Sequence, residues 1–594
     1  MKKQCFQLQK ILAFIPLFLF LSITSTSAKI RVNIERTYEV TDDLEMKVTE
    51  KQSIRNNLEK LYIPGEETVD FSILAFRIDD PNTLKILEEA LETVKVTENG
   101  EAKDFNSKIE DSIAKISFPY GRDLYFGESR EFTLEYTHPS LVYQNGALID
   151  VYIHGFEKNF EFETSNTKMI YSTKLIIPSS IDKEVNFINP EPKNTERALD
   201  YTLYSFDQES LVDAYIWLQL GTYQIYDFKI TQYADATEEK LTGLKNRFEL
   251  VIPKDFSVGE IKQEVFLSSI DPEPTAIFED EEGNLFAEFE FLSNENHEII
   301  IDGYAYIEKT EEFDFEKEVG SLGDIEDGLV QKYTKPAEYW EVNSEPIQVK
   351  AEKLKKDSDN TFQIVKNIYE YIVDTIDYDE VKRFGLNERQ GALKTLLGGS
   401  AVCMEYSDLF ISLARASNIP ARAVFGYGYD SRMSSDKQEP HQWVQVYMPG
   451  VDEWIDVDVT WGESGEIIIG GDLNHFYSHT AYKNPNEPSL ISRYAYGANQ
   501  ELDPPKFEIQ TVAKMDKKKS QLTSIKQFMK KYPKKEKETA EVMFDQMKNR
   551  LKAGVVSLQY GLDLENTSQI MVLSLFVLFV VIFIGGVSRI LRKR

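Results

Sequence analysis

The sequence predicts an α+β domain, preceded by two mainly antiparallel, sandwich-like β domains and followed by a C-terminal transmembrane helix. Three observations predict it. Between residues 29 and 310, short runs rich in Val, Ile, Tyr and Phe recur between clusters of Gly, Pro, Asn and Asp, as in packed antiparallel sheets. After residue 344 helical periodicity takes over and then gives way to strands, the order of an α+β domain. Residues 570–588 carry no charge, and about 20 apolar residues suffice to cross a hydrocarbon core. A chain of 594 residues has room for roughly three or four such domains.

Taken in order, residues 1–28 read as a signal peptide. Lys2, Lys3 and Lys10 make its basic start, an apolar run follows, and Thr26-Ser27-Ala28 offers small residues for cleavage. Residues 29–225 read as a β-rich domain. Ile30-Arg31-Val32-Asn33-Ile34 and Phe132-Thr133-Leu134-Glu135-Tyr136 alternate, Leu175-Ile176-Ile177 is a short apolar run, and a helical piece interrupts at 84–91. Residues 226–310 form the second β domain. One strand lies at 247–253, and a hairpin turns at Asp280-Glu281-Glu282-Gly283-Asn284. Residues 311–343, acidic and polar, read as a linker.

The α+β domain spans 344–499. Phe362, Val365, Ile368, Tyr369, Ile372 and Ile376 fall three and four apart on one helix face. A short helix at 391–397 ends at Gly398-Gly399. Cys403 opens the next helix, with Tyr406, Phe410, Leu413 and Ala414 facing inward, and strands follow at 421–427, 442–448 and 453–459. Residues 500–568 read as a partly helical stalk. Its ten lysines between Lys514 and Lys537 suit a solvated helix face, with docking onto anionic lipid headgroups as the alternative. The span follows at 569–588. The tail, 589–594, carries Arg589, Arg592, Lys593 and Arg594, which stay cytoplasmic. The expectation is a single-pass protein of the cell membrane with its domains outside the cytoplasm.

The formal net charge is −32. Such a surface repels phosphate backbones, which argues against nucleic acid as a partner. Of the two cysteines, Cys5 lies in the signal peptide, so Cys403 is the one thiol of the mature chain. No intrachain disulfide then holds the fold, and the core must do so.

That thiol heads an ordered set. Cys403 follows the Gly398-Gly399-Ser400 turn, His441 follows a polar loop at 430–439, and Asp456 and Asp458 lie two apart on one strand face. A thiolate is the working nucleophile, and a helix N-terminus and a neighbouring histidine both lower a cysteine pKa from about 8.5. The base needs a carboxylate or amide to fix its tautomer, and spacing does not choose between Asp456 and Asp458. His475 and His479, with Asp472, read as surface histidines on a helical turn, because no third strong ligand has diagnostic metal spacing. With no oxygen-rich calcium loop either, neither a metal nor a cofactor is expected.

The stretch from Val402-Cys403-Met404-Glu405-Tyr406-Ser407 to Leu413-Ala414-Arg415-Ala416-Ser417-Asn418-Ile419-Pro420-Ala421-Arg422 resembles the core of the transglutaminase-like superfamily, a papain-like fold. The strands His441-Gln442-Trp443-Val444-Gln445-Val446-Tyr447 and 454–461 are similar to its His and Asp motifs. The chain departs from the family pattern twice: Val459 stands where Pro is usual and Asn418 where Gly is usual. The resemblance covers about 150 residues and implies the orienting carboxylate is Asp458, since the family's Asp precedes Pro-Thr. It implies acyl transfer on protein or peptide amide bonds by Cys403, His441 and Asp458, with water (peptidase or amidase) or an amine (transamidase) as acceptor. The competing expectation is a non-catalytic surface protein that uses the same fold as a binding scaffold.

Overall fold

A computed structural model of the protein describes residues 29–534, apart from 60–61, 75–81, 213, 235–244, 293–294, 311–319, 384–387, 430–439, 463–467, 484, 486–490, 496–497, 502–504 and 517–521. The expected signal peptide, residues 535–568 of the stalk, the span at 569–588 and the tail lie outside the described residues. Among the described residues no helix is long and apolar enough to cross a membrane. The described residues are mostly β, with 49% strand against 19% helix, so the α+β expectation applies to one region rather than to the whole.

The N-terminal region is built on an eight-stranded sheet. Strand Ile30–Val40 lies at its centre, antiparallel to Met46–Arg55 and parallel to Thr167–Pro178. Its alternation places Ile30, Val32, Ile34, Tyr38 and Val40 on one buried face. That face is covered in two halves. A three-stranded sheet and the helix Thr83–Glu92 pack over Ile30, Val32 and Ile34, and a four-stranded sheet packs over Tyr38 and Val40. The expected helical piece at 84–91 corresponds to Thr83–Glu92.

The second β region is a sandwich of a six-stranded and a five-stranded sheet. Phe228, Ile230, Val265 and Ile301 from one sheet meet Phe248, Leu250, Ala287 and Phe289 from the other. The hairpin forms between Ala276–Glu279 and Leu285–Leu292. Two boundaries need correction. Lys506–Thr511, expected in the stalk, pairs along Tyr223–Ala234, and helix Ile525–Lys531 packs on the same core through Ile525 and Phe528. Ile491–Ala495, expected in the α+β domain, pairs with Lys245–Ile252. The chain therefore returns after 483 to complete a sandwich it had begun at 223. Non-local pairing of this kind leaves no mark on local composition. The linker is likewise shorter than expected. Asp327–Tyr333 is helical, and Trp340 is fully buried, its Nε1 donating to Asp408 at 2.8 Å.

Between these returns lies the α+β region. Helices Glu345–Lys355, Thr361–Thr375, Gly391–Leu396 and Cys403–Ala416 cover one face of an antiparallel sheet. The sheet runs in the order Ile468–Ile469, Glu453–Asp458, Pro440–Met448, Ala421–Gly428, His475–Ala481. Val444, Val446, Ile455 and Val457 point into the helical layer, so the alternate residues His441, Trp443, Asp456 and Asp458 lie on the other face. The edge strand His475–Ala481 is held by side-chain amides of the second β region. Gln263 receives the Tyr477 N–H at 3.0 Å and donates to its carbonyl at 2.9 Å. Asn284 does the same for Thr480, at 2.9 Å each way. These amides stand in for the neighbouring strand that an edge lacks.

Candidate active site

Cys403 is the first residue of its helix because the chain before it is extended, with Val402 at φ −121° and ψ −174°. Glu405, in the first turn, reaches back so that its Oε2 accepts the Val402 N–H at 3.1 Å. Its Oε1 meets Lys382 Nζ at 2.7 Å in a buried ion pair. The thiol thus sits, partly exposed, at the positive end of a braced helix. The far end closes in a Schellman turn: Asn418 N–H donates to Arg415 and Ile419 N–H to Ala414, at 3.0 and 2.9 Å. Asn418 has φ +64°. Asn takes this left-handed conformation more readily than other residues with a side chain, so the departure from Gly keeps the turn.

His441 is anchored by a carboxylate. Its Nε2 donates to Asp458 Oδ2 at 2.8 Å, and Cys403 lies near enough to the ring to influence its charge. Burial opposes protonation of the imidazole, but Asp458 and then Cys403 outweigh it and push its pKa up to about 9. Burial likewise opposes charge on Asp458, yet His441 and His475 hold it well below the usual carboxylate range. Asp458 Oδ1 accepts the N–H groups of Thr460 and Trp461 at 2.9 and 3.3 Å, capping the single turn Val459–Gly462. Val459 is the first residue of that turn, where a backbone N–H has no helical partner and Pro is favoured but not required. The second departure from the family pattern is therefore harmless too.

Asp456 faces the same way but does different work. Its Oδ1 accepts from Trp443 Nε1 at 3.0 Å and Gln445 Nε2 at 2.9 Å, and burial pushes its carboxyl up to about 6. The structure thus pairs His441 with Asp458 and leaves Asp456 as a support for Trp443 and Gln445. Gly426 and Gly428 form the floor. A Cβ at Gly426 would lie 2.8 Å from the Trp443 ring, and one at Gly428 would lie 2.7 Å from Trp461 and 3.2 Å from His441.

The reading of His475 and His479 as surface groups on a helix is wrong. Both are buried and lie on strand His475–Ala481. A bulge in its pairing with Ala421–Gly428 turns them to opposite faces. His479 stacks on Phe425, and burial holds its pKa down at about 3. His475 reaches the site: its Nε2 is 3.0 Å from Asp458 Oδ2 and its Nδ1 is 2.6 Å from Asp472 Oδ1. The run His475-Phe476-Tyr477, after Gly470-Gly471, carried strand signals that a four-residue His spacing obscured. The ligand atoms of His441, Asp458 and His475 lie within 4.8 Å of one another, a spacing that also suits a metal ion. The ring nitrogens, however, are already hydrogen-bonded to Asp458, and His475 is held between two carboxylates as a donor.

The α+β region places a helix-terminal thiol and an imidazole–carboxylate pair in one region of the fold. Residues 348–459 match the model of the transglutaminase-like superfamily core, and the chain carries a domain of that superfamily. No curated protein matches the chain. Among solved structures it is similar to a candidate cysteine protease from Cytophaga hutchinsonii (17% identity, 50% of this chain and 92% of that one, TM-score 0.35). It is also similar to the periplasmic domain of TgpA from Pseudomonas aeruginosa bound to ethylmercury (12%, 41% and 91%, TM-score 0.23). A zinc metallopeptidase of the M1 class from Deinococcus radiodurans is a further match (9%, 38% and 48%, TM-score 0.19), and the chain spans about half of that protein.

Proposed function

We propose that the protein is a thiol enzyme acting on amide bonds of proteins or peptides through Cys403, His441 and Asp458. The observation that carries this reading is the His441 imidazole, which donates to Asp458 at 2.8 Å and has Cys403 close enough to influence its charge. The Cys403 sulfur, its proton already held by the His441 imidazolium, attacks the amide carbonyl as a thiolate, and a C–S bond forms. The carbonyl oxygen gains negative charge beside the Cys403 N–H, one of the unpaired donors of the helix terminus. The C–N bond then breaks and His441 gives the proton to the leaving amine, which leaves a thioester. Asp458 holds the imidazole in the donating tautomer and stabilises its cation. Water or an amine then attacks the thioester, with His441 as base, and the thiol is restored.

The proposed setting is the outer face of a membrane, with a signal peptide at 1–28 and an anchor at 569–588. Protease added to intact cells would then remove an epitope placed within 344–499 and spare one fused after Arg594. Protection of the first epitope would refute the topology. Activity is tested by incubating the soluble ectodomain with a pool of glutaminyl peptides, with and without an added amine, and reading products by mass spectrometry. Peptide cleavage or glutamine deamidation identifies a hydrolase, and amine incorporation a transamidase. An unchanged pool with both acceptors refutes the reading.

A further inference from the structure

We propose that His475, clamped between Asp458 and Asp472, is a positioning residue of the candidate active site. It fixes the carboxylate that orients His441 and places a positive charge behind it. The inference rests on the reading of Cys403 and His441 as a reactive pair. It begins from hydrogen-bond inventory. Both ring nitrogens of His475 lie on carboxylate oxygens, Nε2 at 3.0 Å from Asp458 Oδ2 and Nδ1 at 2.6 Å from Asp472 Oδ1. An ionised carboxylate only accepts, so each nitrogen must donate, and an imidazole that donates twice is a cation. Side-chain exposures of 7% for His475 and 1% for Asp458 leave the cation little water, so the two acids hold its proton. The arrangement runs from the thiol through His441, Asp458 and His475 to Asp472.

The sharing of one oxygen gives His475 its influence. Asp458 Oδ2 receives both His441 Nε2 and His475 Nε2, while Oδ1 is occupied by the Thr460 and Trp461 amides. Asp458 therefore cannot rotate without breaking several bonds. The His475 charge also competes with His441 for the same carboxylate, their ring centres being 5.5 Å apart. The ionisable groups facing the ring are Asp472 in its approach loop, Asp458 and Asp456 from strand Glu453–Asp458, and His441 from strand Pro440–Met448. Tyr226 of the second β region faces Asp472 and donates to the Leu473 carbonyl at 2.9 Å. Gln219 of the N-terminal region donates to Asn474 Oδ1 at 3.2 Å, and Gln263 pairs with Tyr477. The β regions thus fasten the segment that delivers His475, and they belong to the site's support.

The test is the pH dependence of Cys403 alkylation by iodoacetamide in the folded full-length protein, read by mass spectrometry on the peptide carrying Cys403. Wild type is expected to show two steps, one as the thiolate–imidazolium pair forms and one as His441 loses its proton. His475→Gln and His475→Asn remove a positive charge, so both steps should move up by about one pH unit in each. Steps that stay in place in folded variants would overturn the proposal and leave the function reading standing. A wild type with one step, like that of a free thiol, would overturn the function reading itself. A readout without variants is the thermal midpoint of wild type. Burial opposes the His475 charge, but Asp472 and Asp458 raise its pKa to about 10. The folded state then holds a proton the unfolded chain has lost, and the midpoint should fall as pH rises from about 6.5 toward 10. A midpoint that stays flat over that range would also overturn the proposal.

Discussion

At the scale of single residues, two aspartates two positions apart take different roles because of what each oxygen meets. Asp458 accepts from two imidazoles and two backbone amides, while Asp456 accepts from an indole and an amide side chain. Asn at 456 keeps an oxygen for both of its donors; Asn at 458 loses the charge that supports His441. Asp458→Asn should therefore lower kcat/KM by ~100-fold or more and Asp456→Asn by less than ~10-fold. Paired rate measurements check this, and equal losses would reverse the assignment. The imidazolium of His441 persists below its raised pKa of about 9 and is lost as pH rises through it. Since that proton goes to the leaving amine, a pH–rate profile should decline above that value. The pairing of His441 with Asp458 rather than Asp456 was legible only through the resemblance to a family motif, since spacing left both open. His475 was not, since the bulge that aims it at Asp458 is a property of pairing with Ala421–Gly428 and not of its own sequence.

At the scale of elements, the edge strand His475–Ala481 depends on two amide side chains borrowed from another sheet. Gln263→Leu would leave the Tyr477 N–H and carbonyl buried without partners, at a cost of about 1–3 kcal/mol for each group. The variant should unfold at a lower urea midpoint, and Cys403 should alkylate more slowly near neutral pH as His475 loses its seat. An unchanged midpoint would show that the amide pairing contributes nothing. Of the helices around Cys403, Thr361–Thr375 was legible from its one-sided apolar stripe and Gly391–Leu396 from the Gly398-Gly399 stop. Gln263 and Asn284 were hidden for the opposite reason. Polar residues within apolar strands look like solvent-facing positions until the third layer that covers them is known.

At the scale of the whole molecule, the chain lays down two β regions, then the α+β region, and then returns to finish the second sandwich with Ile491–Ala495 and Lys506–Thr511. Periodicity marks strands but not their partners, so the return read as a stalk. A chain ending at 499 would expose the flank of Tyr223–Ala234 and the face of Phe228 that stacks on Phe507. It should be insoluble or protease-sensitive, whereas one ending at 534 should stay intact under limited proteolysis. Equal resistance of the two would refute the return as a structural necessity. The regions joined this way hold one candidate nucleophile, and the account's central claim is that this thiol does the chemistry. Its most direct test is the turnover of Cys403→Ala beside wild type, with circular dichroism spectra to establish that both are folded. The account predicts a folded variant with no turnover and, in acid-quenched wild type alone, a thioester mass on Cys403. A folded Cys403→Ala protein that turns over at the wild-type rate would contradict it.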